Sequence, residues 1–283
     1  MTTVSGGASP VSDAPRPRSA ADRAAEVCWF DAREVTLSPA DLADLDVRET
    51  ARAAAFVFPA DRHRYQVAHV MLRRVLAGYL GSEPGRLVFA REPCPTCGGP
   101  SGKPVLAGPP LAGPPLAAAT EPSPAGPATA GSPAPFFSLA HSGTAVVIAV
   151  AGQPVGVDVE REATGCVCSL VTAMHPGDAA IVEQLPEPDR HGAVIRWWVR
   201  AEAVLKCAGT GIAHGMDAFA VLGGLVRNRA SAGSRLPWEP DAPGWADAAG
   251  CSFAPLSAPK GYQAAIALPG LKLIRYRWGS GNP

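Results

Sequence analysis

Between Asp61 and Tyr79 the chain reads DRHRYQVAHVMLRRVLAGY, with apolar positions at Tyr65, Ala68, Leu72, Leu76 and Tyr79. That spacing predicts one helix, bounded by Pro59 before it and Gly81 after it, and carrying Arg62, Arg64, Arg73 and Arg74. Later runs change period. FFSLA and TAVVIAV read as strands, and GVDVERE at 156–162 alternates: Val155, Val157 and Val159 share one face, Asp158 and Glu160 the other. Two carboxylates side by side repel, so either a positive group lies between them or their face is wet. Helical sequence returns from about 189 to 207, where Trp198, Glu202 and Lys206 fall along one side and Ile195, Val199 and Leu205 help face a core, until Gly209 ends it. DAFAVL, YQAAIAL and LKLIRYRW are further strand candidates. Strands and helices in both halves predict an α+β fold.

Composition limits how much of the 283 residues folds. Thirty Gly and thirty Pro stand against 18% charged residues, which points to linker within the chain. Residues 1–26 mix Ser, Gly, Pro and Ala without periodicity and are expected to be a disordered tail. Residues 104–135 are rich in Pro and Ala, repeat LAGPP, and have Glu121 as their single charge, so they are expected to form a flexible, partly polyproline-II insertion. Between and beyond these lie an N-terminal half, 27–153, and a C-terminal half, 154–283. Zero net charge gives no field for nucleic acid. Seven scattered Cys and no opening apolar segment suggest a reducing cytoplasm, and no run is long enough to cross a bilayer. The pair Cys94 and Cys97 in CPTCGG lacks a second pair at zinc-ribbon spacing and reads as a turn without metal.

By spacing alone, Glu202 and Lys206 form an ordinary i,i+4 pair on a solvated helix face. Combined with Asp158 and Glu160, Glu202 completes an all-oxygen set suited to Mg²⁺ with water and phosphate oxygens. Lys206 and His141 could then donate to phosphate, although a lone His beside a strand also serves simply to bond backbone.

GVDVE followed by WWVRAEAVLK, with GKP and HSG upstream, resembles the 4'-phosphopantetheinyl transferases, of the broad-range type similar to the surfactin-synthetase activator. The resemblance runs from about Arg48 to the C-terminal strands, omitting the Pro-rich insertion. It implies two similar α+β halves in a pseudo-two-fold arrangement, with the active site in the cleft between them. It further implies that Asp158, Glu160 and Glu202 hold Mg²⁺ on the diphosphate of coenzyme A. Lys206 and His141 would contact phosphates, Lys103 of GKP would lie near the nucleotide, and Arg52, with Arg64 as a further candidate, would meet the 3'-phosphate. A serine of an acyl- or peptidyl-carrier protein would attack the β-phosphate and release adenosine 3',5'-bisphosphate, with Glu202 as base, directly or through a metal-bound water. The chain departs from the family at Ala140, where a serine is common, and at Ala201, where a lysine is common and Arg200 stands one step earlier. No membrane or nucleic-acid partner is expected, the protein is read as a monomer, and the pathway served, whether fatty-acid, polyketide or nonribosomal-peptide, stays open. The alternatives are another Mg²⁺-dependent nucleotide transferase or hydrolase, for which no Walker-type loop is visible, and a catalytically silent binding relative.

Overall fold

Both faces of the first strand are apolar, and this decides the layering. The computed structural model describes residues 24–95, 97–100, 102–107, 134–162, 167–211, 215–217, 219–222, 234–235, 251–269 and 273–279. In chain order the elements are β1 (Ala24–Asp31), α1 (Pro39–Ala43), α2 (Val47–Ala54), α3 (Pro59–Leu80), β2 (Phe89–Arg91), β3 (Pro104–Leu106), β4 (Phe136–Ser142), β5 (Ala145–Ala151) and β6 (Gly156–Arg161), then α4 (Cys168–Val171), α5 (Pro176–Gln184), α6 (Glu187–Ala208), β7 (Ser234–Arg235), β8 (Cys251–Pro255), β9 (Tyr262–Pro269) and β10 (Leu273–Gly279).

Cys28 and Phe30 of β1, with Val146, Ile148 and Val150 of β5, pack against Val67, Met71 and Leu76 of α3. The opposite face, Val27, Trp29, Val147 and Ala149, packs on Val155, Val157, Val159 and Ile266 in a core shared by two sheets. A third cluster lies between the second sheet and α6, around Trp197, Val204, Leu205, Phe253 and Ala265. Each sheet is therefore backed by one long helix, and the two sheets share the core between them.

The sheets repeat one strand order. In the first, β10-β1-β5-β4, β5 lies antiparallel between β1 and β4; in the second, β6-β9-β8-β7, β9 lies antiparallel between β6 and β8. In each sheet the strand that begins the unit, β1 or β6, is followed later in the chain by a 22-residue helix, α3 or α6, with Pro in its first turn and a left-handed Gly, Gly81 or Gly209, at its end. The C-terminal β10 leaves its own half and pairs parallel with β1.

Several expectations need adjusting. The first strand starts at Ala24, inside the span expected to be tail, because Glu26, which hides the apolar pattern, accepts a hydrogen bond from Tyr79 (2.8 Å) and pairs with Arg277 (3.2 Å). The expected insertion starts too early: Pro104–Leu106 form β3 and pair with β2. Residues 1–23 and 108–133, which hold the rest of both disorder expectations, lie outside the described residues. DAFAVL is not a strand among its described residues. Phe219, Val221 and Leu222 are buried, and the Asp178 carboxylate accepts from the Val221 and Leu222 N–H groups at 2.7 and 2.8 Å, so a side chain replaces the ladder.

Candidate active site

The edge strand of one sheet meets the edge strand of the other, and two serine hydroxyls join them. β4 lies beside β6. The Val157 N–H donates to Ser138 Oγ at 3.0 Å and the Arg161 N–H to Ser142 Oγ at 3.1 Å. These hydroxyls satisfy β6 donors on the side away from β9, so β6 is anchored on both sides. Ser142 also donates to Glu160 Oε2 at 2.6 Å.

Alternation then places Val155, Val157 and Val159 in the shared core and turns Asp158 to the other face, toward α6. The helix can approach because residue 156 is glycine: a Cβ there would lie 1.9 Å from the Ala203 carbonyl oxygen and 2.5 Å from the Cys207 nitrogen. This close approach brings the last turns of α6 over Asp158. Lys206 Nζ donates to Asp158 Oδ1 at 2.6 Å and to the Val157 carbonyl at 3.3 Å. Lys206 thus reaches across to the strand rather than forming a surface pair with Glu202, which is only 7% exposed. The solvated-face reading of this helix pair is overturned.

The carboxylates are held in an unfavourable state. Asp158 is buried, and its Oδ2 has no hydrogen-bond partner. Burial, with a smaller contribution from the charges of Glu202 and Glu160, pushes its pKa up to about 7 against the pull of Lys206. Burial likewise raises Glu202, with Lys206 opposing and Glu160 adding to the rise.

A basic wall faces them from the first half. His141, on β4, is half-buried with Nδ1 unpartnered, and burial, followed by the charge of Arg64, lowers its pKa to about 4; Lys206 acts in the same direction. Arg64, on α3, donates to the Gly143 carbonyl at 2.9 Å and pairs with Asp61 at 2.8 Å, while its buried Nε has no partner. His141, Arg64 and Lys206 thus come from three elements, with Arg64 held by Asp61, Lys206 by Asp158, and one buried nitrogen each of His141 and Arg64 without a partner.

Two residues expected at the nucleotide have partners within the protein. Lys103 donates to the Val155 carbonyl at 2.8 Å, and burial lowers its pKa, so it ties the β2–β3 hairpin to the start of β6. Arg52 is exposed on α2, its guanidinium 5.3 Å from the centre of the Phe56 ring. A stack of rings continues inward from Phe56 to Tyr65 and His69, with centroids 5.4 and 4.1 Å apart, and His69 is among the groups whose charge acts on His141. Arg200 does not take the place of the missing lysine: it is buried, donates to the Val221 carbonyl at 3.1 Å and supports that loop. Ser138, Ser142 and Gly156 were not singled out from the sequence. Ser142 sits in the quoted HSG, but its role depends on β4 lying beside β6.

The donor chemistry fits a hard divalent cation: carboxylate oxygens on β6 and α6, one of them buried and unpartnered, and no thiolate among them. In the present arrangement Lys206 holds Asp158 and Ser142 holds Glu160, and among the described residues no three His, Cys, Asp or Glu side chains are gathered at ligand spacing.

Residues 154–247 match the model of the 4'-phosphopantetheinyl transferase superfamily. The chain is 32% identical over 174 residues to the 4'-phosphopantetheinyl transferase HetI of Nostoc sp., covering 60% of this chain and 62% of that protein. It is 21% identical over 180 residues to a 4'-phosphopantetheinyl transferase of Bacillus subtilis, covering 64% of this chain and 67% of that one. The chain therefore spans about three fifths of the length of the first of these relatives and two thirds of the second. The matched segment begins just before β6 and contains Asp158, Glu160, Glu202 and Lys206. Through that segment the chain is similar to the 4'-phosphopantetheinyl transferase superfamily.

Proposed function

We propose that the chain transfers the 4'-phosphopantetheine arm of coenzyme A to a serine of an acyl- or peptidyl-carrier protein, releasing adenosine 3',5'-bisphosphate. One observation carries this reading: an unpartnered buried carboxylate oxygen on Asp158 stands by Glu202 and Lys206, with His141 and Arg64 arriving from the other half. Such a site suits a diphosphate held between a cation and basic side chains.

Asp158, Glu160 and Glu202 would hold Mg²⁺, which when bound neutralises charge on the diphosphate. Lys206 then gives up Asp158 and turns its ammonium to a phosphate oxygen, a short swing for a side chain that is already partly exposed. His141, neutral at working pH, donates a ring N–H to phosphate, and Arg64 adds a fixed positive charge. Glu202, made more basic by burial, accepts the serine proton as the hydroxyl attacks the β-phosphate. The bond from that phosphorus to the leaving phosphate oxygen breaks, and Lys206 stabilises the charge that develops there. Lys103 supports β6, and Arg52 is the candidate for the 3'-phosphate at the outer end of the ring stack.

The repeated strand order and the matching helices support a pseudo-two-fold relation between units 27–153 and 154–283, with the site in the cleft between them and β10 added across it. Among the described residues no helix is long and apolar enough to cross a membrane, and we read the protein as a cytoplasmic monomer. The test is intact mass spectrometry of several apo-carrier proteins incubated with coenzyme A, Mg²⁺ and this chain. One phosphopantetheine added to a single serine is expected on at least one carrier. No mass gain on fatty-acid, polyketide or nonribosomal-peptide carriers would overturn the reading.

A further inference from the structure

Behind the carboxylate site, on the far side of the last turn of α6, two thiols meet. Cys207 follows Lys206 directly, and its Sγ lies 3.1 Å from Sγ of Cys251 on β8. Both side chains are buried, and the Cys207 thiol also faces the Pro154 carbonyl at 3.5 Å. Lys103, whose partly buried ammonium caps Val155, is close enough for its charge to act on both thiols. The proposed transfer uses neither cysteine.

We propose that Cys207 and Cys251 form an oxidisable dithiol, a modification site that closes to a disulfide with a hydroperoxide as oxidant. A disulfide needs its sulfurs about 2 Å apart, so closing the gap takes a movement of about 1 Å. Cys28, also among the described residues, is set differently. It is buried beside Glu26, which adds to the effect of burial and pushes its pKa up to about 12. Cys94 and Cys97 belong to a hairpin turn in which Cys94 is buried and Cys97 exposed.

The chemistry has a direction. Contact with Cys207 lowers the pKa of Cys251, with Lys103 acting the same way against burial, while the same contact and burial hold Cys207 as the thiol, whose S–H faces the Pro154 carbonyl. The Cys251 sulfur attacks one oxygen of the hydroperoxide, the O–O bond breaks, and hydroxide or alkoxide leaves. The product is a sulfenic acid on Cys251. The Cys207 sulfur then attacks that sulfur, the S–O bond breaks, and the departing hydroxyl with the Cys207 proton makes water. The thiols lose two electrons and the peroxide gains them. Burial selects small oxidants over bulky disulfides. The product ties the last turn of α6 to β8, so the segment bearing Lys206 becomes fixed to the second sheet.

The inference stands apart from the proposed transfer and is tested without it. The full chain is treated with hydrogen peroxide, quenched, alkylated, and digested without reductant. A peptide pair joining Cys207 to Cys251 is expected, which dithiothreitol separates, together with a rise of about 5 °C in the thermal midpoint. Cys251→Ala should remove both effects, and Lys103→Met should slow cross-linking severalfold while leaving the product the same. Full alkylation of Cys207 and Cys251 after peroxide treatment and denaturation would overturn the proposal. So would cross-linking confined to Cys94 and Cys97, or oxidation of single thiols to sulfinic acid.

Discussion

Each long helix buries charge against its own half, and the two burials differ in kind. On α3, Arg73 is wholly inaccessible and fully satisfied: it pairs with Glu49 at 2.7 Å and Asp46 at 3.3 Å, and donates to the carbonyls of Pro84 and Leu87 at 3.1 and 2.9 Å. Glu49 in turn holds His69 Nδ1 at 2.8 Å and the Asp46 N–H at 2.9 Å, so its carboxylate lies below the usual range despite its burial. Against α6, Glu202 of the helix and Asp158 of β6 are buried with like charge nearby, one Asp158 oxygen is unpartnered, and both titrate upward. A satisfied network specifies a fold, whereas an unsatisfied one of equal burial marks a place where something else binds.

The comparison can be broken from either side. The largest effect is expected on the satisfied side: Arg73→Met leaves Glu49 buried without its main partner and should lower unfolding free energy by about 3–5 kcal/mol in urea titrations. Next, Asp158→Ala or Glu202→Gln should lower phosphopantetheine transfer by about a hundredfold or more while the chain stays folded by circular dichroism. The pH dependence of stability gives a third contrast. The folded pKa of Asp158, about 7, exceeds its ordinary value of 3.8, so folding takes up a proton between the two. That contribution is fully present below about pH 4 and is lost as pH rises toward 7. Relative to wild type, Asp158→Asn should therefore gain stability across that window, on the order of 2–4 kcal/mol by denaturant titration at each pH. A flat difference would show that Asp158 is ordinarily ionised. The smallest effect is expected at Ser142→Ala, which frees Glu160 and leaves the Arg161 N–H without its acceptor, and should cost about 1 kcal/mol in the same titrations.

What could be read without the structure follows from the range of the forces involved. The alternation that sets Asp158 and Glu160 opposite the valines is local, so it was legible, as was the period that made 61–79 and 189–207 helices. The burial of Glu202 was not, because it depends on β6 passing under α6, which only the missing Cβ of Gly156 allows. DAFAVL looked like a strand because its apolar residues do enter a core, but the groups that satisfy its backbone belong to Asp178, far away in sequence. Lys103 was matched to a nucleotide-binding role by its motif. Its ammonium also holds the Val155 carbonyl, a partner no spacing rule identifies.

The central claim is that Asp158, Glu160 and Glu202 act together to hold a divalent cation against a diphosphate. Calorimetric titration of coenzyme A into the chain, with and without Mg²⁺, tests it most directly when repeated on Asp158→Ala and Glu202→Gln. Mg²⁺ should tighten binding to wild type by at least tenfold and leave both variants unchanged. Equal Mg²⁺ enhancement in all three proteins would contradict the account.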